Sequence, residues 1–277
     1  MLKDDILREL EQNRGKAISG QDMADKFKVS RNAVWKAVNS LKNSGYNIES
    51  HRTLGYYIPN DSDVISEEGI RNFLPEELKD INIITYDSLD STNNEAKRLL
   101  ANDENVAPCL IISDGQTRGR GRGGKSFLSE KGKGIYMSLI FSRELSQDES
   151  DIITIYAAVA VKRVIERYIR DEVGLKWVND IFYKNKKVAG ILTEAISDLE
   201  SKMISTVIIG IGINIKEFDV PDEYKDVIGF LNISDVPRIK ISSEIVEELY
   251  KIFNENEVEM IKKEYFSRLI DSEKSRV

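Results

Sequence analysis

The segment Gln116-Thr117-Arg118-Gly119-Arg120-Gly121-Arg122-Gly123-Gly124-Lys125-Ser126-Phe127 concentrates more chemistry than any other in the 277-residue chain. From Gly115 to Ser129 it holds four cations and no acid. Glycines allow close backbone approach to a ligand and arginines supply forked donors, so the segment suits a polyphosphate or an adenylate. A basic surface loop has the same composition. Gly119–Ser126 also spells G-x-x-x-x-G-K-S, and Gly119, Gly121 and Gly124 spell G-x-G-x-x-G. Both phosphate-loop strings need a strand before the loop and a helix directly after it. Here the chain runs instead through Lys131-Gly132-Lys133-Gly134 into the apolar stretch Ile135–Phe141, so both readings are rejected. Repulsion among the arginines predicts a loop that stays mobile until an anion arrives.

Three other places could carry chemistry. Lys176 interrupts the apolar run Leu175–Tyr183, and a lysine there needs a counter-charge or a cavity to line. Gly210 and Gly212 interrupt the strand-like Val207–Asn214, which marks close approach of a ligand or of another part of the chain. In Asp90-Ser91-Thr92-Asn93-Asn94-Glu95, Thr92 and Glu95 fit a capping box that opens a helix to about Asn102. That start is either a cap alone or a seat for a ligand's polar end. With a single histidine, His51, and a single cysteine, Cys109, the chain offers no Ser-His-Asp triad, no cysteine-cluster metal site and no internal disulfide.

The elements that must position these residues read as α+β. Strands are expected at Asn82–Asp87, Cys109–Ser113, Ile135–Phe141, Leu175–Tyr183, Val188–Glu194 and Val207–Asn214. Helices are expected near Ser66–Phe73, from Thr92, over Asp151–Arg170 and over Ser242–Ile270, the last with Ile245, Leu249, Ile252, Phe253, Met260, Ile261, Tyr265 and Leu269 as its apolar positions. The turn-rich Pro59–Asp63 marks a boundary. The division expected is 1–60, a linker 61–65, a main domain 66–270 and a start of something further at 271–277.

The first sixty residues differ in charge from the rest. They hold ten Lys/Arg and seven Asp/Glu, or +3, against −7 for the whole chain. Between Lys26 and Ile48 there are five cations and no acid. Helices are expected at 2–13, at Gln21–Phe27 capped by Ser19, and at Arg31–Asn43 capped by Ser30. Tyr46–Glu49 and Tyr56–Ile58 then pair as a wing. This is the order of a winged helix-turn-helix, with Ser30, Arg31, Asn32, Lys36 and Arg52 the expected DNA contacts. Trp35, Leu41 and Tyr57 are expected in its core. No apolar run approaches the roughly 20 residues of a membrane span, and the first fifteen residues lack a signal-peptide stretch. A cytoplasmic protein is the expectation.

Several strings, in this order, resemble the biotin–protein ligases, and within them the bifunctional ligase and biotin-operon repressor type. They are Asp90-Ser91-Thr92-Asn93, Gln116 with Gly119-Arg120-Gly121-Arg122, Lys176-Trp177-x-Asn179-Asp180, Val188-Ala189-Gly190-Ile191-Leu192-x-Glu194 and Gly210-Ile211-Gly212-Ile213-Asn214. The resemblance implies a mixed-sheet, class II synthetase-like catalytic domain. It implies that biotin's carboxylate attacks the α-phosphate of ATP, expelling pyrophosphate, with Mg²⁺ assisting. A lysine of a biotin carboxyl carrier protein then takes the biotin as an amide. Lys176, Arg120 and Arg122 are the implied catalytic residues, and Ser91, Thr92, Asn93, Gln116, Arg120, Gly121, Arg122 and Lys176 the implied biotin site. Arg120, Arg122, Lys176, Asn179, Gly212 and Asn214 are the implied nucleotide site, with no protein metal ligand assigned. Operator DNA and a ligand-promoted homodimer are the implied further partners. Two departures stand out: Val178 where the family usually has proline, expected to be a tolerated strand change, and the absence of the family's C-terminal SH3-like barrel, whose start would fall near Ser275-Arg276-Val277. The alternatives are a repressor that senses biotin or its adenylate without efficient transfer, and a lipoate-type acyl ligase.

Overall fold

The computed structural model describes residues 2–51, 53–103, 105–145, 150–197, 204–254 and 258–270. Arg52 and the segment 271–277 lie outside the described residues, and so do the expectations placed on them. The chain forms two compact units: one of residues up to Leu74 plus Asp235–Ser243, the other of Pro75–Ser234 plus the residues from Glu244.

The first unit opens with α1 (Leu2–Gln12), α2 (Gly20–Phe27) and α3 (Arg31–Asn43). Ser19 Oγ accepts from Asp22 N at 3.0 Å and Ser30 Oγ accepts from Ala33 N at 3.1 Å, so each cap satisfies an amide that the helix itself leaves open. Ile6, Leu7, Leu10, Met23, Ala24, Val34, Val38 and Leu41 close over one core. Each fully buried aliphatic side chain there contributes roughly 1.5–3 kcal/mol. The wing's first strand is shorter and later than expected and its second begins one residue earlier, β1 (Glu49–His51) against β2 (Gly55–Tyr57) in antiparallel register Glu49↔Tyr57. Tyr56 exchanges backbone bonds of 2.9 Å with Ile18, which anchors the wing on the α1–α2 connection. Gly55 (φ 111°) permits this approach, since a Cβ would lie 2.0 Å from Ile18 O.

Three expectations fail in this unit. Trp35 is not core but 53% exposed, because Val34 and Val38 take the inward side of α3. Tyr57 is not core either: it lies partly exposed on the wing, where its hydroxyl donates to Glu49. Residues 61–65 are not a linker. Arg14 Nη1 donates to Ser62 O at 3.0 Å while its Nε lies 2.5 Å from Glu11, and Arg238 Nε is 2.9 Å from Asp63 Oδ2. The unit therefore continues through α4 (Glu67–Phe73), whose Asn72 Nδ2 donates to Glu11 O at 2.9 Å.

The second unit is a seven-stranded sheet of β3 (Asn82–Tyr86), β4 (Cys109–Ser113), β5 (Gly134–Leu145), β6 (Gly174–Lys176), β7 (Asp180–Tyr183), β8 (Lys186–Ser197) and β9 (Ile204–Asn214). Their spatial order is β3-β4-β5-β9-β8-β7-β6, parallel only between β3 and β4. α5 (Thr92–Asn102) packs Ala96 and Leu100 on Cys109, Ile111, Ile140 and Ile208. The buried Cys109 thiol is pushed up to about 11 by desolvation, which leaves it an inert packing residue. α6 (Ser150–Ile169) lies on β7 and β8 and contacts α8 (Val258–Ser267), with Arg163 Nη2 at 2.7 Å from Glu264. The expected helix over Ser242–Ile270 is two helices, α7 (Arg238–Asn254) and α8; of the apolar positions, Met260 and Leu269 are exposed. The expected strand Leu175–Tyr183 is the hairpin β6–β7, with Val178 in its turn, not in a strand. No helix among the described residues is long and apolar enough to cross a membrane.

Candidate active site

The second unit gathers six distant segments around one cavity of about 940 Å³. Its lining includes Ser91, Thr92, Asn93, Gln116, Arg120, Gly121, Arg122, Lys176, Asn179, Gly212 and Asn214, so every expected biotin- and nucleotide-site residue borders the same space. Successive residues of a strand point to opposite faces. Gly190, Leu192 and Glu194 of β8 pair with Gly212, Gly210 and Ile208 of β9, and the side that carries them is the cavity side.

The polar groups at the start of α5 form a connected network. Ser91 is the N-cap position but makes no side-chain cap bond, so the capping box on Thr92 and Glu95 is not formed. Gln116 Oε1 instead accepts from Thr92 N at 2.8 Å, while Gln116 Nε2 donates to Ser129 Oγ at 2.8 Å. Glu95 is drawn to Tyr86, whose hydroxyl donates to it at 2.8 Å, and to Arg98. Asn93 is buried and engaged at both ends of its amide: Nδ2 donates to Leu192 O and Glu194 Oε2, and Oδ1 accepts from Ser138 Oγ at 2.6 Å. Gly210 is bare because a Cβ there would lie 2.0 Å from Asn93 Oδ1. Arg98 and Asn94 bind Asp90 and hold its carboxyl far below the usual carboxylate range.

The glycine–arginine loop is a small closed hairpin rather than an unstructured flap. Phe127 N donates to Gly119 O at 2.9 Å and Gly121 N donates to Lys125 O at 2.7 Å. Its tip is a single turn at Arg122–Gly124, not a helix, in keeping with the rejection of both phosphate-loop strings. Self-repulsion is offset by an acid on the sheet, since Arg120 Nη1 lies 3.3 Å from Glu194 Oε1 and donates to Asn94 Oδ1 at 2.9 Å. Burial opposes the charge on Glu194, but Lys97 and Asn93 outweigh it and hold its pKa below the ordinary value. Arg122 is exposed at the tip.

Lys176 ends β6 beside the turn. It is half-buried, with Nζ 5.6 Å above the Phe182 ring, and not a lysine sealed inside a strand. The turn is held by Asn179, whose Nδ2 donates to Ile191 O at 3.0 Å and whose carbonyl accepts from Ile191 N at 2.9 Å. Asn179 thus has a structural bond of its own beside any ligand role.

Sequence reasoning passed over Lys187, Asp180 and Phe127. Lys187 follows the two-residue turn Lys184 (φ 49°) and Asn185 (φ 63°), a cluster that reads as solvated. In the fold its Nζ reaches the cavity, 2.7 Å from Asp180 Oδ1 and 6.0 Å from the centroid of Phe127. That ring sits on the facing glycines Gly190 and Gly212; a Cβ at Gly212 would be 2.6 Å from it. The available signals were a lysine directly before the apolar Val188–Leu192 and an aromatic at the end of the arginine loop. At the other side, Asn214 Nδ2 donates to Gly229 O at 3.1 Å, and its buried Oδ1 has no hydrogen-bond partner among the described residues.

Such a cavity offers ammonium and guanidinium groups on three sides and a buried acceptor at one end, which suits joining a small carboxylate to a nucleotide phosphate. Comparisons with known proteins agree. The biotin/lipoate A/B protein ligase family matches residues 86–214, and an HTH domain family matches residues 3–57. The bifunctional ligase/repressor BirA of Bacillus subtilis is 38% identical over 228 residues, 82% of this chain and 69% of that protein. The Escherichia coli BirA is 24% identical over 200 residues, 72% of this chain and 60% of that protein. Among solved structures, the Aquifex aeolicus biotin protein ligase in complex with biotin and ATP aligns with a TM-score of 0.54 at 30% identity, covering 68% of this chain and 78% of that one. With its helix-turn-helix unit and its ligase sheet, the chain belongs to the bifunctional biotin ligase/repressor family.

Proposed function

We propose that the cavity activates biotin with ATP as biotinyl-5′-adenylate and passes the biotin to a lysine of a biotin carboxyl carrier protein. The observation that carries this is the convergence of Arg120, Lys176 and Lys187 with the unsatisfied Asn214 Oδ1 on one cavity. Two anions must meet for the carboxylate to attack the α-phosphate, so fixed cations that neutralise the growing charge lower the barrier. Lys187 and Lys176 flank that position from the sheet, and Arg120 approaches from the loop. Lys187 is the better placed of the two lysines to bridge carboxylate and phosphate, since it faces the loop across Phe127. Asn214 Oδ1 accepts from a donor such as the adenine amino group. Asn93 and Gln116 act as positioning residues that fix the start of α5, and Ser91, Thr92 and the loop backbone at Gly121 meet the biotin. Arg122, at the loop tip, reaches the phosphates when ligand is bound.

The side chains present fit Mg²⁺ bound through the nucleotide. This ion keeps most of its shell as phosphate and water oxygens and needs one or two carboxylates from protein. Asp180 borders the cavity with its Oδ1 2.7 Å from Lys187 Nζ, and would supply such a carboxylate where that ammonium turns to the phosphates. Bound there, Mg²⁺ would offset polyphosphate charge.

The first unit binds operator DNA through α3 and the wing, and a homodimer promoted by the adenylate is the form that does so, in the cytoplasm. Incubation with biotin, Mg-ATP and a carrier domain should release pyrophosphate and label the carrier. Adenylate without labelled carrier would select the sensing repressor instead. The absence of both adenylate and labelled carrier would refute the enzyme reading, and turnover of lipoate but not biotin would reassign the substrate.

A further inference from the structure

On α3, Arg31, Asn32, Trp35, Lys36 and Asn39 recur at i, i+1, i+4, i+5 and i+8, so they share one side of the helix. Val34, Val38 and Leu41 are buried on the other. Trp35 stands in the middle of the outward side, 53% exposed, beside a shallow depression lined by Lys36, Asn39, Ser40 and Asn43. Burial does not account for so large an apolar side chain here. A protein partner would be expected to find further apolar groups around it. Its neighbours on that side of α3 and along the depression are instead cations, amides and hydroxyls, on a stretch without a single acid from Lys26 to Ile48. That surrounding matches a polyanion with apolar and hydrogen-bonding edges between its charges, which is the major groove of duplex DNA.

We propose that Trp35 and Asn39 read base edges, Asn39 by paired hydrogen bonds to an adenine and Trp35 by covering a neighbouring thymine methyl. The inference rests on the DNA-binding reading above and extends it to a specificity pair. Arg31 and Lys36, on either side, meet phosphates and set the position without reading sequence. Lys42, whose Nζ donates to Ser50 Oγ at 2.9 Å, ties the wing to α3 and so fixes the angle at which the pair is presented.

The test uses the full chain with biotin and Mg-ATP and a random-sequence duplex pool. Selection yields a preferred duplex containing adjacent A·T pairs. Trp35→Ala and Asn39→Asp should each weaken binding to it roughly 5- to 100-fold, while binding to unselected duplex is unchanged for Trp35→Ala. Replacing the thymines by deoxyuridine should weaken the parent protein and leave Trp35→Ala unaffected. Trp35→Phe should abolish the change in tryptophan fluorescence on adding the duplex. If the parent selects no sequence and binds no duplex, the DNA-binding reading itself fails. If it selects one that both variants, folded by circular dichroism, bind as tightly as the parent, this inference is overturned and DNA binding stands.

Discussion

In the winged-helix unit, α2 and α3 each begin on a serine that accepts from an amide three residues on. In the ligase unit, α5 begins on an amide whose acceptor, Gln116, lies 24 residues away across a strand. The first arrangement is complete within one turn of chain. The second exists only once the sheet has assembled, and it uses for a helix start the same side chain that borders the cavity. Local capping leaves the outward face of α3 available for recognition. Distant capping binds the integrity of the second unit to its active site, so damage to one should register in the other.

The largest expected effect concerns the chemistry. Lys187→Ala should slow pyrophosphate release on the order of 100- to 1,000-fold, by removing a fixed cation from the developing charge, and Lys176→Ala should cost less. Salt-sensitive, non-specific binding of the same variants to duplex DNA in the absence of biotin and ATP should match the parent; a parallel loss there would erase the separation between the units. Next comes Gly210→Ala, whose methyl would sit 2.0 Å from Asn93 Oδ1. It should lower stability in urea by about 2–3 kcal/mol, as overpacking does, and weaken biotin binding with it. Gln116→Ala should cost about 1–2 kcal/mol and raise the KM for biotin, whereas Ser30→Ala should cost about 1 kcal/mol with no change in biotin kinetics. Equal kinetic profiles for those two would remove the contrast between local and distant caps.

The smallest effect is pH-dependent. The folded pKa of Glu194 lies below its unfolded value, so the ionised group stabilises the fold above the ordinary carboxylate range and loses that contribution as pH falls through the folded value. The Tm difference between the parent and Glu194→Gln should therefore be greatest near neutrality and shrink in acid below about pH 4. A difference independent of pH would show that the carboxylate's charge does not matter.

What the sequence disclosed follows the same division. The three helices of the first unit were legible because their caps and apolar spacings are local, as at Ser19, Ser30 and Val34–Leu41. Trp35 misled because an aromatic residue between two core valines looks like core until the helix is given its direction. In the ligase unit the loop, the paired glycines and Asn179–Asp180 were visible as composition. Their partners were not: that Asn93 fills the space at Gly210, or that Phe127 covers Gly212, depends on strand register between segments about a hundred residues apart. Lys187 was hidden for the same reason, a cation beside a turn that only the β7–β8 pairing turns toward the cavity.

The backbone bonds from Phe127 to Gly119 and from Gly121 to Lys125 make the arginine segment one stiff paddle hung on two stems. Its stems are tied to the chain before α5, where Thr117 N donates to Leu89 O at 2.8 Å and Arg118 N donates to Asp90 O at 2.9 Å, and Arg120 adds Glu194 and Asn94. The tip at Gly123 and Gly124 carries none of these ties and a Cβ there would meet nothing within 4 Å, so the demands on the tip are separate from those on the stems.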